Sequence, residues 1–322
     1  MTSNAGTIEH GRAGVRPRKR AVHRLSGSRE TLRAALGNLK RRIGRIVQKS
    51  LQRPIVIDRR AEDPLPGAFI IAPFRSGTTL LRFILDSHPQ IAAPPETFLF
   101  THLLGPLRDE RATRAMWNVG FHREVLARAL GDYARSFLEA YARSKGKHIW
   151  IEKTPSYVEW LPELVEAFPD VRFLLLYRHP FDIVRSMMER NMAETQPEIA
   201  ALGSDYSSPF ATCCAYVAGE HARMLRFQQR HPGIVHEMRY ERLVTDPESV
   251  LAPTCAFLGV PFDPQIVRFA EARHDLGFGD EKINDTRAIV ARTETYGIWS
   301  EEERQEARAY LRTPLETLGY GT

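Results

Sequence analysis

Cysteine is scarce in this chain of 322 residues, with Cys213, Cys214 and Cys255 alone. An odd number with two adjacent suits neither a disulfide framework nor a zinc site, and points to buried thiols in a reducing compartment. No apolar run reaches the roughly 18 residues of a membrane span, and the basic cluster Arg16 to Arg24 has no signal-peptide apolar core behind it. A cytoplasmic protein, soluble or peripheral to a membrane, is therefore expected. Acidic residues are nearly missing from the first 50 positions, which hold two against 13 Lys and Arg, whereas the remainder holds 37 against 32. The overall charge of +6 thus belongs to the head of the chain and not to its body. That division sets the expected domains, a basic and partly helical extension over 1–60 and a catalytic domain over 61–322.

Within the head, Leu32, Leu36, Leu39, Ile43, Ile46, Val47 and Leu51 form one apolar stripe flanked by Arg33, Lys40, Arg41, Arg42 and Arg45. This is the pattern of a basic amphipathic helix. Docking on its own domain or disorder comes first; contact with an anionic membrane surface and an organellar transit peptide also fit. Contact with nucleic acid is a further alternative for this helix, but nucleic acid is not the expected partner of the protein.

The body is organised around Pro73-Phe74-Arg75-Ser76-Gly77-Thr78-Thr79-Leu80-Leu81, between the apolar run Ala68 to Ala72 and an apolar helix pattern through Ser87. A strand, a glycine loop and a helix start in that order make an anion cradle. The first helical N–H groups lack intrahelical partners, the helix dipole is positive there, and Gly77 lets the backbone approach a ligand closely. Ser76, Thr78 and Thr79 add hydroxyls, and Arg75 a permanent charge. A nucleoside-triphosphate loop needs Lys directly after its second Gly, with magnesium on the following Ser or Thr. No Lys follows Gly77. A nucleotide kinase therefore remains only as the alternative reading.

Further runs read as strands at Ile91 to Ala93, His148 to Ile151, Val171 to Tyr177 and Ile234 to Met238. They are separated by helices over Arg123 to Lys145, Tyr157 to Phe168, Phe181 to Met192 and Phe210 to Arg230. Alternation of this kind predicts a P-loop-like three-layer α/β/α fold with a central parallel sheet. Ligands of such sheets sit at the carboxyl ends of the strands. Those ends carry Phe74-Arg75-Ser76, Glu152-Lys153-Thr154, Arg178-His179-Pro180 and Arg239-Tyr240-Glu241. One such cation is an ordinary surface charge; their agreement across strands marks a site.

Two segments resemble a known family. PFRSGTTLLRFILDSHPQIAAPPETFLF is similar to the phosphosulfate loop of sulfotransferases that use 3′-phosphoadenylyl sulfate (PAPS), and RFLLLYRHPFDIVRSMMER to their 3′-phosphate segment. The pair, in order and about a hundred residues apart, is more specific than either alone, and the resemblance spans about residues 68 to 299. It implies that Arg75, Ser76, Gly77, Thr78 and Thr79 hold the 5′-phosphosulfate, and Arg178 and Ser186 the 3′-phosphate. Arg190, four residues after Ser186, would share its helix face. Glu96, 21 residues after Arg75, stands where tyrosylprotein sulfotransferases and related bacterial enzymes carry their catalytic base. Cytosolic small-molecule sulfotransferases instead carry Lys in place of Arg75 and a His base further along. Lys153 matches the Lys that stabilises the transferring group, and Tyr240 a tyrosine near the nucleotide.

Gly279 to Trp299 resembles the loop that closes over the cofactor, with Lys282 and Thr286 as binding residues and Arg287 and Arg292 both open as further 3′-phosphate ligands. The resemblance further implies a hydroxyl acceptor (glycan, lipid, phenol or peptide) and chemistry that needs no metal. Acceptor-shaping aromatics are expected among Phe98, Phe100, Trp117, Phe121 and Tyr206.

Overall fold

In the computed structural model the chain divides into two units, Met1–Arg53 and Pro54–Thr322. The structure describes residues 63–278, 283 and 286–321, all within the second unit. The expected amphipathic helix and the membrane contact assigned to it lie outside the described residues.

Five strands, β1 (Gly67–Ile71), β2 (Ile91–Ala92), β3 (Ile149–Lys153), β4 (Arg172–Tyr177) and β5 (Val235–Arg239), form one sheet in the order β2-β3-β1-β4-β5. Every pairing is parallel, with Ile70 opposite both Lys153 and Leu174, and Tyr177 opposite Arg239. Parallel strands need crossovers on their faces, so both faces are covered. That is why β1 reads as continuous apolar sequence and is fully buried from Ala68 to Ile71.

The covering helices are α1 (Thr78–Asp86), α2 (Arg123–Ser144), α3 (Leu161–Ala167), α4 (Pro180–Met188), α5 (Pro209–Arg230), α6 (Tyr240–Thr245), α7 (Pro247–Leu258) and α8 (Glu301–Thr317). On one face Ile70, Ile151 and Leu174 pack with Ile84 of α1 and Leu251 of α7. On the other, Phe69 lies among Phe100, Trp150, Tyr157, Phe168 and Phe173, with ring centroids 5.2–6.3 Å apart. A third cluster joins Val184 of α4, Val217 of α5 and Leu311 of α8, and supports the rim beyond β4. The expected three-layer α/β/α architecture is what forms.

Two helical expectations change in detail. The helix expected over Tyr157 to Phe168 begins as a 3-10 turn at Pro155–Trp160 before α3. The one expected over Phe181 to Met192 stops at Met188, because Asn191 adopts φ 52 and a short second helix, Met192–Thr195, follows. Asn tolerates that left-handed conformation better than most side chains.

Candidate active site

The carboxyl ends of β1, β3, β4 and β5 open into a cavity of about 970 Å3. Between β1 and α1 the backbone turns sharply, with Arg75 at φ 69 and Gly77 at φ 91. For Arg75 this is a costly conformation, of the kind that gathers where backbone must surround a ligand. A Cβ on Gly77 would stand 2.5 Å from two ring carbons of Tyr240. Gly77 also begins α1 without any side-chain cap, leaving the first helical N–H groups facing the loop. Ser76 Oγ is buried without a hydrogen-bond partner among the described residues. A buried donor of that sort signals a missing acceptor.

Gly77→Ala should therefore weaken binding of an anion by the loop at least tenfold and lower the melting temperature. The added methyl meets the Tyr240 ring, and a left-handed non-glycine residue costs about 1–2 kcal/mol. Titration and a thermal melt check both effects.

The loop is tied to the end of β4. Arg178 Nη1 donates to Arg75 O at 2.8 Å, and its Nη2 donates to Arg292 O at 2.5 Å. The guanidinium lies 4.4 Å from the centroid of the Tyr240 ring, and its Nε is buried with no partner among the described residues. Burial pushes the Tyr240 hydroxyl above its usual range, so it stays protonated. From α4, Ser186 Oγ accepts from Arg75 Nε at 3.1 Å. Arg178 and Ser186 thus both hold Arg75, one by its carbonyl and the other by its side chain, and both line the cavity.

His179, directly after Arg178, caps α4. Its Nδ1 accepts from Phe181 N at 3.2 Å and its ring stacks on Tyr296. Burial lowers its pKa to about 4, leaving a neutral turn residue at neutral pH.

Lys153 Nζ makes an ion pair with Glu96 Oε1 and lies 3.5 Å from Thr79 Oγ1. Lys153 is 1% exposed; burial pulls its ammonium down while the Glu96 charge holds it up. One cation thus bridges the anion loop and the carboxylate. Glu96 N donates to Phe278 O at 3.4 Å, and Phe98 meets Phe278 edge-on at 5.5 Å, so an aromatic pair flanks the carboxylate.

Residues 66–264 match the sulfotransferase family profile, more than half of the chain. The chain belongs to the sulfotransferase family. A putative protein-tyrosine sulfotransferase of Caenorhabditis briggsae is 27% identical over 257 residues, 77% of this chain and 86% of that one. Nodulation protein NoeE of Sinorhizobium fredii is 30% identical over 261 residues, covering 73% of this chain and 60% of NoeE. In fold, the sulfotransferase domain of the Synechococcus PCC 7002 olefin synthase superposes with a TM-score of 0.55 at 23% identity, covering 84% of this chain and all of that domain. The sulfotransferase domain of the curacin biosynthetic pathway gives 0.54 at 21%, covering 78% and 99%.

In this sulfotransferase Arg75, Gly77, Thr78, Thr79, Glu96, Arg178, Ser186, Arg190, Tyr240, Thr286, Arg287 and Arg292 all line the one cavity. Arg190 reaches it by a different route from the expected one. It lies past the end of α4, so a turn and not a shared helix face brings it there. Lys282 lies outside the described residues.

The expected acceptor aromatics are dispersed. Phe98 lines the cavity, Phe100 is sealed in the core, Trp117 and Phe121 are exposed away from the cavity lining, and Tyr206 packs on Tyr310. The sequence reading also missed Asp182. It is fully buried in α4 and accepts from Glu294 N, Thr295 N and Thr295 Oγ at 2.6–2.9 Å, fixing the late segment beside Arg178. An acid in the first turn of a helix looks like a dipole partner in sequence; its partners 112 and 113 residues away carry no local signature.

Proposed function

We propose that this sulfotransferase moves a sulfuryl group from PAPS to an acceptor hydroxyl, with Glu96 as general base. The observation that carries the reading is the β1–α1 anion loop at the cavity, which meets the Lys153–Glu96 pair through Thr79 and is bonded through Arg75 to both Arg178 and Ser186. A donor with a 5′-phosphosulfate and a 3′-phosphate needs two anion sites joined by room for a nucleoside. Ser76 Oγ and Arg178 Nε, buried without partners among the described residues, and the space that only a glycine leaves at Gly77 fit such a ligand.

Glu96 takes the proton of the acceptor hydroxyl as its oxygen attacks sulfur in line. A new S–O bond forms, the bond between sulfur and the bridging phosphate oxygen breaks, and the products are a sulfate ester and adenosine 3′,5′-bisphosphate. Lys153, Arg75 and the amides at the start of α1 take up the negative charge that gathers on the departing phosphate oxygen. For Lys153 this means leaving Glu96 for the new anion, a small movement because Thr79 of the loop is already 3.5 Å away. Its departure frees Glu96 to accept the proton. A base so placed contributes about 10²- to 10⁴-fold, and one electrostatic donor about 3–4 kcal/mol. The acceptor reaches Glu96 past Phe98 and Phe278, which fits a glycan, lipid, phenol or peptide hydroxyl presented beside an apolar group.

The test is transfer of label from [35S]PAPS to representatives of those four acceptor classes in EDTA, beside a parallel reaction with ATP and magnesium. Label in one class supports the reading. Magnesium-dependent transfer of phosphate from ATP, with no movement of sulfur, would replace it with the kinase alternative.

A further inference from the structure

Strand β3 grips the Glu96 segment from both of its faces. Side chains alternate along a strand, so Ile149, Ile151 and Lys153 face α1, while Trp150 and Glu152 face the aromatic cluster around Phe69. The chain at Glu96–Thr97 passes over the end of β3. Glu96 pairs with Lys153 on the first side, and Thr97 bonds to Glu152 on the second.

Glu152 is fully buried, and among the described residues one of its oxygens does all the bonding. Its Oε1 accepts from Thr97 N at 3.3 Å, Thr97 Oγ1 at 2.8 Å, Thr154 Oγ1 at 2.9 Å and Tyr157 OH at 3.3 Å. Tyr157 OH in turn accepts from Phe100 N at 3.3 Å, so the anchorage covers both sides of Phe98, itself at φ 53. A carboxyl against Phe69 and Trp150 is an expensive choice for a core position, where an apolar side chain would fill the same space without desolvation. What an apolar residue cannot do is collect the amide and hydroxyl of the residue next to Glu96.

We propose that Glu152 is a positioning residue for the transfer, holding the Thr97 backbone and hydroxyl so that the Glu96 carboxylate stays over Lys153 and the anion loop. The inference rests on the reading of Glu96 as base. Burial raises the Glu152 carboxyl to about 7, so a neutral side chain of the same shape replaces it closely.

The experiment uses the full chain and measures kcat and KM for the donor with the acceptor found above, beside bisphosphate titration and a thermal melt. Glu152→Leu and Thr97→Val should each lower kcat about 10- to 100-fold, the scale of a base displaced by about 1 Å. KM and bisphosphate affinity should stay within about threefold, because the anion sites are untouched. Glu152→Gln, which keeps the accepting oxygen, should restore kcat to within about threefold of wild type. If Glu152→Leu does not fold, Thr97→Val decides, since Thr97 is exposed and the change is isosteric. Wild-type kcat in Thr97→Val, or a loss seen only in KM, overturns the inference while Glu96→Gln remains inactive. Turnover retained in Glu96→Gln removes the base reading and this inference with it.

Discussion

Glu96→Gln is expected to lower kcat by about 10²- to 10⁴-fold, the contribution of a general base, while adenosine 3′,5′-bisphosphate binds within about threefold of its wild-type affinity. Gln is the informative replacement because of Lys153. That ammonium is 1% exposed and Glu96 is its counter-charge. Glu96→Ala would leave it buried and alone, a loss of about 3–5 kcal/mol for a broken buried pair. A drop in activity would then mix catalysis with stability. The Gln amide oxygen still accepts from Lys153 but takes no proton from an acceptor. Equal loss of kcat and of bisphosphate affinity would show instead that Glu96 supports the nucleotide site.

Arg178→Ala is expected to show the opposite pattern. Its guanidinium ties the anion loop at Arg75 O to the late segment at Arg292 O and stacks on Tyr240, with Nε unpaired among the described residues. A hydrogen bond to a charged group is worth about 1.5–3 kcal/mol, or about 10- to 100-fold in affinity. The loss of bisphosphate binding should reach the upper end, because the two carbonyls lose their shared donor as well. Arg178→Lys should recover little. A lysine has one ammonium and cannot serve two carbonyls and an anion in the fixed directions of a guanidinium fork. Wild-type affinity in Arg178→Ala would place the 3′-phosphate elsewhere, with Arg190, Arg287 and Arg292 of the same cavity as the next residues to test.

What was legible in the sequence follows from how local each feature is. The anion loop needs only a strand, Gly77 and a helix start within a dozen residues, and the polar strand ends follow once parallel order is inferred. Lys153 and Arg178 could thus be placed at one rim before any contact was known. Glu152 stood in the same rim segment, yet nothing in Ile-Glu-Lys-Thr-Pro tells which of two adjacent charged residues faces the anion and which the core. Strand alternation decides it, and only after the register with β1 is fixed. Asp182 was hidden because its partners lie 112 and 113 residues away. Arg190 shows the converse, since a helix drawn four residues too long put it at the cavity by an unsound route. Trp117 and Phe121 misled because aromatic content in a connecting segment says nothing about which side of the molecule it covers.

Calorimetric titration without magnesium, with adenosine 3′,5′-bisphosphate beside adenosine 5′-phosphate and beside ATP with magnesium, tests the two-anion site most directly. The account predicts that the bisphosphate binds at least about tenfold more tightly than either, because only it reaches both the β1–α1 loop and Arg178. Equal affinity for the 5′-phosphate, or preference for magnesium ATP, would contradict it.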